Sequence, residues 1–400
     1  MHVMKKIVSK GAKNAIAIGS LCSVSYLAVY FARNILGVVT PQMIEQGFTE
    51  SYIGFVSSVY FVCYAIGQLI NGAIGDKIKA KYMICFGLFM SGVANLLFAQ
   101  ISKTLPDMAS VIYGFAGFFL SMIYGPMTKT VSENTEPLYT TRCSLGYTFA
   151  SFIATPMVGL TAAVLGWQYV FGTGSAFLCG MAVIFFFICT VFEKKGLVKY
   201  GQYKKNKESG NSIKILIKRQ IIKFTFIALI TGVVRTTVVF WMPTYINQYL
   251  GFSVNESTTI FSATTLIISF TTFIAIFVYE RLKRNMDLTV FIMFVTAAIF
   301  FALLYFIKHP VLNIVFMVIA IMASNGAACM LYSRYCLSLY DTGMVSTATG
   351  FLDFISYMAA AASSSLFANI VSDVGWGNLI LIWLGLMVFG VVISVPYNKK

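Results

Sequence analysis

Apolar stretches of roughly 20 residues, the length that crosses about 30 Å of hydrocarbon as a helix, follow one another along the chain with short polar breaks between them. Twelve can be delimited, at 15–40, 51–75, 81–101, 107–131, 143–165, 168–192, 220–247, 256–280, 287–307, 310–337, 345–371 and 376–396. They are about twice the length of a barrel strand and lack its alternation, so the pattern predicts membrane-spanning helices. The first stretch follows Lys5, Lys6, Lys10 and Lys13, contains Arg33 and ends at Pro41 with no small-residue cleavage site. It therefore reads as a span and not as a signal peptide.

Composition supports this. The 400 residues are 58% hydrophobic and 11% charged, with a mean hydropathy of +0.81, whereas a soluble domain carries about 25% charged residues. So few polar groups cannot cover the surface of a soluble fold. The expected fold class is an all-α membrane protein. The eight cysteines (Cys22, Cys63, Cys85, Cys143, Cys179, Cys189, Cys329 and Cys336) fall within or at the ends of spans and form no Cys-x-x-Cys pair. They read as packing residues, and no metal or cofactor is implied.

If both termini lie in the cytoplasm, 25 of the 29 Lys and Arg residues fall on the inner side, Lys103 and Lys308 fall outside, and Arg33 and Arg235 lie within spans. The positive-inside rule selects that orientation. The net charge of +15 then belongs to loops beside anionic headgroups, so the partner is the lipid bilayer and not nucleic acid. A multi-pass protein of the cell (inner or plasma) membrane is expected, and it is taken as a monomer.

The longest polar segment, 193–219, is rich in Lys, Gly and Ser and divides six spans from six. This predicts an N-terminal bundle over 1–192, a cytoplasmic linker over 193–219 and a C-terminal bundle over 220–400. The halves repeat. Pro41 stands eight residues after Arg33, Pro243 stands eight after Arg235, and both pairs are offset by 202. QGFTES at 46–51 matches QYLGFSVNES at 248–257, GDK at 75–77 matches YER at 279–281, and GWQ at 166–168 matches GWG at 375–377. A repeat of six spans is the signature of a pseudo-symmetric transporter whose site lies between the repeats.

Arg33 lies about 12 Å along its helix from the proline-marked end, near mid-bilayer, and Arg235 occupies the equivalent depth. A guanidinium there costs at least ~2.5–3.5 kcal/mol on insertion scales, and neither span contains an acidic residue beside it. The compensating group is either a protein acceptor that ties the halves together, such as Asp353 or helix-end carbonyls, or a bound anion. Two fixed forks suit a tetrahedral oxyanion, and they suit a carboxylate as well. Tyr26 and Tyr30 share the helix face of Arg33 and either line a wet cavity or pack. Trp241 and Tyr245, near Pro243, fit an interfacial belt equally. Asp353, an acid well inside a span, can neutralise an arginine, carry a proton, bind a cationic group, or cap a helix break near Gly350.

The segment GAIGDKIKAK, with Gly72, Asp76 and Lys77, resembles the cytoplasmic loop signature of the major facilitator superfamily. YFARNILGVVTPQMIEQGF, YAIGQLINGAIGDK, GFFLSMIYGPMTK and VVRTTVVFWMPTYI resemble the organophosphate:phosphate antiporter family within it, along nearly the whole chain. The resemblance implies two pseudo-symmetric six-helix bundles. It puts the phosphate-binding arginines on Arg33 and Arg235, cavity tyrosines on Tyr26, Tyr30, Tyr64 and Tyr357, and a gating cluster on Gly72, Asp76 and Lys77. The chain departs at Gln68 and Thr148, where glycerol-3-phosphate members have a lysine and a histidine, and at Asp353, where small residues are usual. These departures leave room for a less anionic or zwitterionic substrate.

The expected function is exchange of an organophosphate for inorganic phosphate by alternating access. The alternatives are a proton-coupled symporter of sugar acids using Asp353, and a transporter-like sensor of a phosphorylated solute. No Walker-type loop is present, and the spans hold no Ser–His or His–Glu constellation, since His2 is terminal and His309 lies in a loop. An enzyme is not expected.

Overall fold

The computed structural model describes residues 10–75, 78–200, 216–339 and 345–396. Long helices fill them: α1 Lys10–Glu45, α2 Glu50–Gly75, α3 Ala80–Ile101, α4 Pro106–Asn134, α5 Pro137–Val164 and α6 Trp167–Lys194. After the central segment come α7 Ile221–Gln248, α8 Val254–Arg281, α9 Met286–Phe306 and α10 Pro310–Tyr335, then α11 Val345–Val374 and α12 Trp376–Ser394. Among the described residues eleven of these are long and apolar enough to cross a membrane, and α5 contributes a shorter apolar stretch, Phe149–Val164. The expected twelve spans thus correspond to eleven by length and composition.

Local chemistry sets the helix ends. Pro106, Pro137 and Pro310 open α4, α5 and α10, where a missing N–H leaves no bond unmade. Ser253 and Glu256 form a reciprocal capping box at the start of α8. Polar ends also extend the helices beyond the apolar slab, so α4 runs on to Asn134 and α5 begins at Pro137.

The repeat seen in the sequence is physical. Gln46, in the loop after α1, accepts a hydrogen bond from Trp167 Nε1 at 2.9 Å, and its counterpart Gln248 accepts one from Trp376 Nε1 at 3.1 Å. In each group of six helices the same glutamine thus ties the end of the first helix to the start of the sixth. The segment after α6 folds back on the first group. Lys199 N donates to Asn134 Oδ1 at 2.7 Å, and Tyr200 donates to Glu193, which also takes Lys81 Nζ at 2.6 Å. Burial holds the Tyr200 phenol well above its ordinary pKa.

The groups meet through α1 with α7, α2 with α11 and α5 with α8. Their contacts lie from mid-depth toward the end away from the termini. Ser57 Oγ donates to Ser364 Oγ at 3.3 Å, Ser58 Oγ reaches Ser365 Oγ at 2.7 Å and Ser51 Oγ donates to Asn369 Oδ1 at 2.9 Å. Small residues allow that approach. A Cβ on Gly54 would stand 2.6 Å from Ala368 Cβ and 2.8 Å from the Ser364 carbonyl. Gly54→Val is therefore expected to push α2 off α11, at roughly 1–3 kcal/mol for an overpacked contact. In detergent, a cysteine placed at Ser57 should then label faster with a bulky maleimide than in the parent. Unchanged labelling would show that the interface yields without opening.

Candidate functional site

α7 is not a regular helix where Arg235 sits. Residues Val233–Val238 form a π segment, a local widening that re-aims side chains and is frequent at functional positions. Contacts with α11 bracket it. On the near side Gly232 lies so close that a Cβ would stand 2.3 Å from Ser356 Oγ and 2.8 Å from Ser356 Cα. Arg235 stands three residues beyond Gly232, inside the π segment. On the far side Thr237 Oγ1 bonds Ser363 Oγ at 2.8 Å and the Ala360 carbonyl at 3.2 Å. A second π segment, Leu331–Tyr335 in α10, presents Tyr332 to the same space.

Tyr357 on α11 stands between the two arginines. Arg33 Nη1 donates to its hydroxyl at 2.9 Å, and the guanidinium carbons of Arg33 and Arg235 lie 4.8 Å and 5.9 Å from its ring centroid. Arg33 is further enclosed by Tyr64 and Tyr30, with its Cζ 5.0 Å and 5.3 Å from their rings. Among the described residues no carboxylate pairs with it. Arg235 differs: its Nη2 lies 3.6 Å from Asp353 Oδ1 and donates to Ser356 Oγ at 3.4 Å. Tyr332 donates to the same Asp353 oxygen at 3.4 Å and offers its ring to Arg235 at 5.4 Å.

Of the residues expected from the sequence, Arg33, Arg235, Tyr30, Tyr64, Tyr357 and Asp353 thus meet directly. Tyr26 joins through Tyr30, with ring centroids 4.9 Å apart. Gln68 lies one turn beyond Tyr64 on α2, half-buried. Asp76 and Lys77 lie outside the described residues, as do the surroundings of Gly72 and the side chain of Thr148.

Three sequence readings change. α11 runs unbroken through Gly350, so Asp353 caps no helix break. Arg235 and Asp353 stand on α7 and α11 of one six-helix group, so their pair does not join the halves. Trp241 and Tyr245 are fully buried, with Tyr245 packed against Trp376 and bonded to Asn313, and they form no interfacial belt.

Sequence reasoning missed Tyr332 and Ser356. A signal for Tyr332 did exist, because Tyr124 closes the apolar run of α4 much as Tyr332 closes that of α10, and the Tyr124 ring also faces Tyr26 at 5.5 Å. The loose, part-exposed Arg235–Asp353 pair, with side chains 34% and 29% exposed, should contribute modestly. A double-mutant cycle with Arg235→Gln and Asp353→Asn should give a coupling of about 0.5–1 kcal/mol in unfolding experiments. A coupling above about 3 kcal/mol would mark a tight buried pair instead.

Residues 22–364 match the family model of the Major Facilitator Superfamily. The chain is similar to the glycerol-3-phosphate transporter of Bacillus subtilis (strain 168), at 22% identity over 408 residues that cover 94% of this chain and 90% of the relative. It is also similar to a probable hexose phosphate transport protein of Chlamydia trachomatis, at 23% identity over 40% of this chain and 34% of that protein. Among solved structures, the xylose transporter XylE from E. coli aligns with a TM-score of 0.73 at 11% identity, covering 97% of this chain and 99% of the other.

Proposed function

The chain belongs to the major facilitator superfamily, and on that basis we propose that it binds an organic phosphate between Arg33 and Arg235 and exchanges it for inorganic phosphate by alternating access. It is a multi-pass membrane transporter and not an enzyme. The observation that carries the proposal is the pair of guanidiniums, at equivalent positions of the repeat, held against one phenol ring. Arg33 is a permanent cation at mid-bilayer depth with aromatic faces and a hydroxyl for company, and a bound oxyanion is the charge that such a site lacks. The names of the relatives support a phosphate ester as that anion.

The same geometry suggests how binding and movement connect. Arg33 and Tyr357 belong to opposite halves, and their hydrogen bond of 2.9 Å competes with any anion for one fork of the guanidinium. Substrate that takes this donor loosens one tie between the halves and forms another through itself. The Lys and Arg distribution supports cytoplasmic termini. The end at which α2 meets α11 through Ser57, Ser58 and Gly54 is then the outer one.

Transport in proteoliposomes tests the proposal. Wild-type protein should take up a labelled phosphate ester when the vesicles are preloaded with inorganic phosphate. Arg33→Lys and Arg235→Lys should fold but each lose transport by at least roughly tenfold, since lysine keeps the charge and loses the planar fork. Wild-type rates in either variant would sink the clamp. Uptake of a sugar acid driven by an inward proton gradient without phosphate would favour the symporter. Binding without transport would favour a sensor.

A further inference from the structure

The charges around Tyr357 do not sum to what a plain phosphate monoester needs. Among the described residues two guanidiniums face one carboxylate there, which leaves one positive charge. A phosphate monoester carries close to two negative charges at pH 7, and an unbalanced charge at this depth is expensive. A single negative charge overall is the match.

Asp353 has the features of a ligand group and not of a closed structural pair. Its contacts with Arg235 Nη2 and the Tyr332 hydroxyl are 3.6 Å and 3.4 Å, longer than the roughly 2.7–2.9 Å of a formed charge-assisted bond. Its side chain is 29% exposed. Aromatic rings flank the pair. The rings of Tyr332 and Tyr357 lie 5.4 Å and 5.9 Å from the Arg235 guanidinium carbon. A carboxylate among tyrosine faces recognises an ammonium group, by an ion pair and by cation–π contact.

We infer that the substrate is a zwitterionic phosphate ester whose alcohol carries an amine on a short spacer, with its phosphate on Arg33 and Arg235 and its ammonium on Asp353. This rests on the proposed phosphate site and assigns the other end of the ligand. Arg235 and Asp353 stand side by side, 3.6 Å apart, so a phosphate on one and an ammonium on the other suit a short spacer. Such an ester carries about one net negative charge, and so does the monobasic form of inorganic phosphate, so both exchange partners leave the site balanced.

The test compares 2-aminoethyl phosphate with propyl phosphate, in which a methyl group replaces the ammonium, as ligands of the purified full-length protein by calorimetry at pH 7. The wild type should bind the amine ester more tightly by roughly tenfold or more, the scale of one desolvated charge pair, and Asp353→Asn should abolish that preference. Equal or tighter binding of propyl phosphate by the wild type would overturn the inference while leaving the phosphate site standing. A preference that survives in Asp353→Asn would overturn the assignment to Asp353. If neither ester binds but a sugar acid does, the phosphate site itself fails. The wild-type ratio needs no variant, so misfolding of Asp353→Asn would still leave a decisive result.

Discussion

A guanidinium that cannot lose its proton, held at the depth of the hydrocarbon with no carboxylate paired to it among the described residues, is the constraint around which this protein is organised. Arg33 meets that demand with rings and one hydroxyl. Each cation–π contact contributes on the order of 0.5–2 kcal/mol, and three of them soften the penalty of burial without cancelling the charge. On the proposed function, the uncancelled remainder is what attracts an anion, which completes the electrostatics of the pocket. Arg235, at the equivalent place in the repeat, is treated differently, and Asp353 partly neutralises it. The pseudo-symmetry of the fold is therefore broken at this pair of arginines.

The helices around this pair are shaped to serve it. α7 has a glycine in close contact with α11 and a π segment just beyond it, where Arg235 stands. Tyr332 reaches the same space through the second π segment, in α10. The serine-rich contact of α2 with α11 sits directly beyond Tyr357. Small side chains and hydroxyl bonds let the two helices approach closely there. Tyr357 thus links the site to the seam, since it touches both arginines while its own helix forms one wall of the closure.

Much of this was legible in the sequence for a physical reason. Crossing a bilayer imposes an averaged requirement on about 20 residues, so the spans show whatever their detailed contacts. Arg33 and Arg235 stood out because charge inside such a stretch is rare, and the shared spacing to Pro41 and Pro243 made them a pair. Helix ends were less visible, as at Asn134 and Pro137, because hydropathy reports the slab and not the hydrogen-bonded helix that continues past it. The π segments were hidden, since hydropathy does not report hydrogen-bond register, and the one in α7 is flanked by contacts with Ser356 and Ser363 on a distant helix. With them went Tyr332 and the choice of Arg235 as the partner of Asp353. Likewise Tyr245 looked like a belt residue by depth alone, and only its packing on Trp376 shows that it faces inward.

The central claim is that one oxyanion is shared by two arginines from opposite halves. A structure of the protein with a phosphate ester bound tests it most directly. The account predicts the phosphate within hydrogen-bonding distance of both guanidiniums, with Arg33 drawn from Tyr357 toward the ligand. An ester bound in the cavity with its phosphate away from either arginine would contradict it.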